Sequence, residues 1–174
     1  MITVTSAQAN KLLNKLNDNI ASLYQKEQQS CRFNAATGEN IEDARPEYSF
    51  EETRAEIAQL EAKARKIKHA INVFNTKTVV PNTGVGDMTI DEVLVFIPQL
   101  TKNKRRLADM KSKLPKERVQ SSIRTGSLIE YTYTNYDVHK ASEVYDATSE
   151  TLAAVQNALD TVNNTVTFDI DVDI

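Results

Sequence analysis

Hydrophobic side chains recur at alternating spacings of three and four residues along four long segments of the sequence. This period aligns them on one side of an α-helix, as in helices that pack by heptads. It predicts helices over residues 6–31, 49–75, 90–114 and 138–163. Long helices joined by loops favour a mainly α fold, here an antiparallel four-helix bundle.

We call each row of such side chains a helical stripe. The stripe of the second helix consists of Phe50, Thr53, Ile57, Leu60, Ala64, Ile67, Ile71 and Phe74. The stripe of the third consists of Ile90, Val93, Ile97, Leu100, Leu107 and Leu114, with lysines at positions 104 and 111. The stripe of the fourth runs from Val138 to Val166 and includes Tyr145. These side chains are the predicted core.

Two capping boxes mark helix starts. Ser49 is followed three residues later by Glu52, and Thr89 by Glu92. In such a box the first side chain accepts from the amide three residues on, and the acidic side chain reaches back. Pro98 lies inside the third predicted helix. A proline there removes a backbone hydrogen bond, so we expect a kink.

Two segments alternate instead with a period of two, which predicts strands. They cover residues 128–136 and 166–174. In an up-down-up-down bundle both chain ends meet, so we expect a small β element formed by the termini. Residues 2–4, the tail and the loop at 76–80 would share this sheet. We expect residues 128–136 beside the long loop 32–48.

The length of 174 residues suggests one domain, residues 1–174. The chain carries no N-terminal signal pattern and no stretch near the roughly 20 apolar residues of a membrane span, so we expect a cytoplasmic protein. Cys31 is the one cysteine, which leaves no partner for an internal disulfide. We expect it to be a partly buried structural thiol.

Groups that could carry chemistry are isolated in the sequence. His69 and His139 fall outside any metal-ligand spacing and are expected on outward helix faces. Asp169, Asp171 and Asp173 lack the glycine and distal glutamate of a calcium loop, so a solvated strand face is expected. The sequence therefore predicts a protein that is not an enzyme, with no cofactor, no metal and no evident small-molecule substrate.

Charge is distributed unevenly. Residues 61–118 contain 13 Lys and Arg against 6 Asp and Glu, whereas the rest contains 8 against 18. We call residues 102–118 the basic segment; its candidate contacts for an anionic partner are Lys102, Lys104, Arg105 and Arg106. On a continuous helix these charges would surround the cylinder, without nearby aromatics. That favours a salt-bridged surface, or an acidic neighbouring subunit, over nucleic acid.

Two stretches resemble a bacterial family. Ile71-Asn-Val-Phe-Asn-Thr-Lys-Thr78 and Met88-Thr-Ile-Asp-Glu-Val-Leu94 are similar to septicolysin-like proteins, in which a helix ends in I-N-x-x-N-x-x-T before a loop and another helix. Residues 156–163 resemble the family's ending, with a different order of Gln and Asp and without its following Trp. The resemblance implies a small helical bundle in a largely uncharacterised family, whose name suggests membrane activity.

The leading functional expectation is a structural protein that self-associates, in keeping with the helical stripes and the strand-like tail. Two alternatives stay open. The resemblance motivates a membrane-active effector, although no long apolar segment is available to insert. The basic segment motivates an anion or nucleic-acid binder.

Overall fold

The computed structural model describes residues 1–119 and 129–173. It is mainly helical, as predicted, with small antiparallel sheets. The helices are α1 (Ser6–Ser30), α2 (Ile41–Ala44), α3 (Phe50–Lys77), α4 (Ile90–Lys111) and α5 (Val138–Thr165). The strands are β1 (Ile2–Thr5), β2 (Val79–Val80), β3 (Met88–Thr89), β4 (Lys116–Arg118), β5 (Tyr131–Tyr133) and β6 (Thr167–Ile170).

The contacts divide the chain into two compact units. Unit 1 comprises Met1–Asn75 with Val162–Ile174, and unit 2 comprises Thr76–Thr161. The four predicted long helices are present with shifted ends: α4 stops at Lys111 instead of residue 114, whereas α5 extends to Thr165. Leu128 and Ile174, at the edges of the predicted strands, lie outside the described residues. The bundle arrangement and the single domain stay predictions.

In unit 1 the chain ends pair as predicted. β1 and β6 form an antiparallel sheet in which Ile2 is opposite Ile170 and Thr5 is opposite Thr167. The apolar face of the sheet packs on a core shared with α1 and α3, made of Ala9, Ile67, Ile71, Ile170 and Val172. Thr5 also ends the strand by capping α1, because its side chain accepts from the Gln8 amide while the Gln8 side chain accepts from the Thr5 amide.

Polar side chains join α1 to α3 in the same unit. The Tyr48 hydroxyl donates to Glu27 at 3.2 Å, and Arg54 pairs with the other oxygen of that carboxylate at 3.4 Å. Tyr24 donates from its hydroxyl to Glu61 at 3.2 Å. Partial burial, and then the neighbouring Glu27 carboxylate, raises the pKa of Tyr48. These contacts fix the chain where it leaves the loop and enters α3.

In unit 2 the segment at 76–80 does not join the terminal sheet, so that prediction was wrong. β2 pairs with β3 instead, with Val79 opposite Thr89. The loop between them reverses sharply, since Asn82, Gly84 and Gly86 all have positive φ. The buried Thr83 hydroxyl donates to the Gly86 carbonyl at 2.6 Å. The segment at 76–80 therefore finds its strand partner in a local hairpin.

The predicted capping box at the start of α4 is present. The Thr89 amide donates to the Glu92 carboxylate at 2.7 Å, and the Glu92 amide donates to the Thr89 hydroxyl at 3.3 Å. The hydrogen bond from the Thr89 amide, followed by that from its hydroxyl, lowers the pKa of Glu92. The helix continues through Pro98 to Lys111.

The stripes identify most of the buried side chains. Buried stripe residues include Thr53, Ile57, Ile67, Ile71, Phe74, Ile90, Val93, Leu100, Ala141, Leu152, Val155, Leu159 and Val162. In the stripes of the second, third and fourth predicted helices, three residues are exposed: Phe50, Leu114 and Val166. Each lies at or beyond a helix end, where the period of a helix no longer determines which side faces the interior.

Candidate anion-binding surface

The basic segment changes secondary structure along its length. It follows α4 to Lys111, turns, and continues as β4 from Lys116 to Arg118. The helix was predicted to end at residue 114, and it ends three residues earlier, so the last two cations of the segment lie on a strand. Pro115 has no amide hydrogen to continue the helix, and its carbonyl instead accepts from the Thr134 amide at 3.2 Å.

Two of the lysines are packed within unit 2. Lys104 and Lys111 occupy stripe positions on α4 and are half-buried. Their ammonium nitrogens lie 5.7 and 3.6 Å from the ring centroid of Tyr145 on α5. Both distances fall within the range of a cation–π interaction. Lys104, a predicted contact for an anionic partner, is thus held against an aromatic ring.

The other three predicted contacts are exposed. Lys102, Arg105 and Arg106 lie three and four positions apart, which places them on one side of α4. None of them forms a salt bridge with another residue of the described chain. In the next turn Lys113 pairs with Asp109 at 3.1 Å, and this bond raises the pKa of Lys113. The structure therefore separates the predicted site into a packed lysine and an exposed cationic helix side.

β4 and β5 place cations and aromatic rings together. Lys116 is opposite Tyr133, and Arg118 is opposite Tyr131, in an antiparallel pair. Alternate residues of a strand, and residues directly opposite each other, share one face of a sheet. All four side chains are exposed and therefore form one surface, which we call the tyrosine–lysine face.

Distances within this face show close contact. The Lys116 ammonium lies 4.1 Å from the Tyr131 ring centroid and 5.5 Å from that of Tyr133. The two ring centroids are 6.4 Å apart, with the planes tilted by 52°. Tyr131 is 43% exposed and Tyr133 is 62% exposed. Both rings are thus accessible beside two positive charges.

Hydrogen bonds extend this small sheet and attach it to the end of α4. The Val119 amide donates to the Glu130 carbonyl at 3.0 Å, which extends the pairing of β4 with β5. The hydroxyl of Tyr136 donates to the Met110 carbonyl at 2.8 Å, which attaches the sheet to α4. The partner of β5 is therefore β4, and the placement of this strand beside loop 32–48 stays a prediction. The alternation of Lys116 and Arg118 across Glu117 was the available signal for a strand here.

The remaining candidate side chains stay dispersed. His69 is exposed, and His139 is exposed with Glu143 at 3.6 Å. Cys31 is also exposed, so the expectation of a partly buried thiol was wrong. It follows the last residue of α1 and begins the exposed loop. Its position beyond the helix explains the difference.

Acidic side chains at the tail face solvent. Asp169, Asp171 and Asp173 are exposed, and Asp169 accepts a hydrogen bond from the Thr3 hydroxyl. Across residues 1–119 and 129–173, no group of three or more His, Cys, Asp and Glu side chains could hold a metal ion. Within the same residues, each helix is too short or too polar to cross a membrane.

Each unit also contains a depression. In unit 1 a cavity of about 200 Å³ has a mainly apolar lining that consists of Leu12, Leu16, Leu60, Ile67 and Val172, with Lys15, Lys63, Asn19 and Asp173 among its polar residues. In unit 2 a more open depression of about 460 Å³ lies between α4 and α5 and is lined by Ile97, Gln156, Asn157, Leu159 and Asp160. Neither lining pairs a Ser, Thr or Cys nucleophile with a histidine.

Comparison with known proteins gives a fold relationship. No known protein family matches the sequence, and no curated protein matches it. The fold is similar to the crystal structure of a functionally unknown conserved protein from Corynebacterium diphtheriae. The TM-score is 0.61 at 14% sequence identity, covering 97% of this chain and 100% of the other. At that identity the similarity describes the fold alone.

Proposed function

We propose that this chain is a non-enzymatic protein that acts by self-association through strand β1. The single observation that carries the proposal is the difference between the two edges of the terminal sheet. In a two-stranded sheet, each strand keeps one edge of backbone groups that can pair with another chain. The two edges here have opposite chemical character.

Charged residues oppose the pairing of β6 with a further strand, whereas β1 contains no charged residue. β6 contains Asp169 and is followed by Asp171 and Asp173, and such charges oppose pairing with a second strand. β1 reads Ile-Thr-Val-Thr, so every residue is β-branched and uncharged. β-Branched residues favour extended pairing. Association is therefore expected on the β1 side.

Pairing of β1 with β1 of a second copy would give a symmetric dimer. A two-fold axis brings the same patch of each copy together, which suits antiparallel strands. The resulting sheet would have four strands in the order β6-β1-β1-β6, and larger sheets are more stable than isolated pairs. We also propose that the long helices form an antiparallel four-helix bundle. The chain would be a relative of the septicolysin-like proteins and would be located in the cytoplasm.

The test is the solution mass of a charged variant, measured by light scattering over a range of micromolar concentrations. Thr3→Lys removes the hydrogen bond from the Thr3 hydroxyl to Asp169, but it places an ammonium group opposite that carboxylate, which favours the pairing within one chain. Two such lysines would lie close together in a dimer formed through β1. We expect the wild type to have twice the chain mass and Thr3→Lys to have the mass of one chain.

Thr167→Lys is the matched control, because it adds the same charge to an exposed threonine on β6, the other strand. It should remain a dimer. A monomeric wild type, or a Thr3→Lys variant that associates as strongly as the wild type, would contradict the proposal. Loss of the dimer in both variants would place the interface elsewhere on the sheet.

A further inference from the structure

The tyrosine–lysine face has features that packing among residues 1–119 and 129–173 does not require. Tyr136 nearby is half-buried, and its hydroxyl bonds to the Met110 carbonyl, so it anchors the sheet. Tyr131 and Tyr133 differ from it, since no hydrogen bond joins either hydroxyl to another described residue. Exposed aromatic rings grouped on one surface indicate a place where another molecule binds.

We propose that the tyrosine–lysine face binds single-stranded nucleic acid. Two bases would stack on Tyr131 and Tyr133, while Lys116 and Arg118 would contact the phosphates between them. Aromatic rings combined with a positively charged surface are the features that sequence-independent single-strand binders share. This inference goes beyond self-association and uses a different unit of the chain.

Ring spacing favours a single strand over a duplex. The two ring centroids are 6.4 Å apart, whereas stacked bases along one strand are separated by about 3.4 Å. Neighbouring bases must therefore unstack from each other before each can lie on its own ring. Unpaired strands permit this separation, whereas a duplex must first be opened.

Lys116 would exchange one partner for another. Its ammonium lies over the Tyr131 ring at 4.1 Å and is exposed. An exposed cation–π contact is weak, and a phosphate oxygen offers the ammonium a charge-assisted hydrogen bond. Contact with a phosphate would draw the lysine away from the ring and free the ring face for a base.

Charges on the opposite face leave the binding surface positive. Glu117 lies between Lys116 and Arg118 in β4, and its alternation places it on the other face of the sheet. Glu130 precedes Tyr131 and falls on that same opposite face by the same rule. An acidic peptide without aromatic side chains could pair with the two cations but has no flat rings to stack on both tyrosines, whereas every nucleotide carries a base. Nucleic acid is therefore the favoured ligand.

The test uses fluorescence anisotropy with a labelled oligothymidylate of about 12 nucleotides, a length within known site sizes. The full chain should bind it more tightly than a duplex of the same length. Replacing both tyrosines (Tyr131→Leu with Tyr133→Leu) should weaken binding by about tenfold or more, since each stacked base contributes substantially. Replacing both with phenylalanine keeps the rings and should leave binding close to wild type.

Separate control experiments test the role of charge and check that each variant is folded. Lys116→Gln with Arg118→Gln should weaken binding and reduce its dependence on salt. Lys102→Gln with Arg105→Gln removes as much charge from α4 and should have the smaller effect. Circular dichroism of each variant checks that it remains folded, and the phenylalanine pair provides a second comparison if the leucine pair unfolds.

Three results would overturn the inference. The first is no binding at low salt, and the second is equal binding by the wild type and a folded leucine pair. The third is equal affinity for polyglutamate, which would make the face a site for acidic peptides. The oligomeric mass of each variant is independent of these results, so failure here leaves the proposal about β1 intact.

Discussion

The capping box of α4 gives the sharpest prediction about stability. The Thr89→Ala change removes the hydroxyl that accepts from the Glu92 amide and donates to its carboxylate, at 3.3 and 3.0 Å. Loss of an N-cap side chain typically costs about 0.5–2 kcal/mol. The box is exposed, so water can replace part of what is lost, and about 1 kcal/mol is expected. For a chain of this size, that corresponds to a fall in melting temperature of about 2–4 °C.

Glu92 makes the same box sensitive to acid. Its pKa is lowered from 4.5 in the folded chain, so its charge contributes stability above that ordinary value. This contribution is lost as the pH falls through the lowered folded pKa. Glu92→Gln keeps an oxygen acceptor without the charge. It should be less stable than the wild type near neutral pH, and the difference should shrink as the pH falls below 4.5 and vanish below the lowered folded pKa.

The box of α1 supplies a matched control, because its third residue is Gln8 in place of a glutamate. Gln8→Glu should add stability near neutral pH that disappears in acid, the reverse of the change at position 92. Urea unfolding followed by far-UV circular dichroism measures all of these differences. A gap between the wild type and Glu92→Gln that does not narrow as the pH falls from neutral through the lowered folded pKa would refute the reasoning.

Two further predictions concern packing. Ile67 is 1% exposed and Phe50 is 58% exposed, so Ile67→Ala should cost about 2–5 kcal/mol in urea unfolding. Phe50→Ala should cost less than about 0.5 kcal/mol; similar losses at both positions would contradict the described core. A double-mutant cycle of Lys111→Met and Tyr145→Leu should give a coupling of about 0.5–1 kcal/mol or more. Independent effects of the two changes would argue against the cation–π contact.

The helical stripes located most of the core because burial along a helix repeats with a local period. Ile57, Ile67 and Ile71 could be assigned to the interior from sequence spacing alone, and all three are buried. The same logic failed at Phe50 and Leu114, which lie where a helix begins or after it ends. At these positions the burial of a side chain depends on the path of the adjoining loop. The helical spacing of the sequence contains no information about that path.

Pairings between distant segments were harder to predict. The β1–β6 pair followed from the expected meeting of the chain ends, but the partner of β5 did not. The basic segment looked like a helix without aromatics because Tyr131 and Tyr133 lie more than ten residues further along. Lys104 and Lys111 looked like interruptions of a stripe, since their explanation is a ring on another helix. Three of the four predicted contacts, Lys102, Arg105 and Arg106, are exposed as a binding role requires.

The exposed position of Cys31 makes the natural chain ready for site-specific labelling. It is the one thiol in the sequence and is accessible at the end of α1. A maleimide dye would therefore attach once per chain without any engineered residue. In single-particle fluorescence, the number of photobleaching steps then equals the number of chains in each particle. Such counting would read the stoichiometry directly at concentrations far below those that light scattering needs.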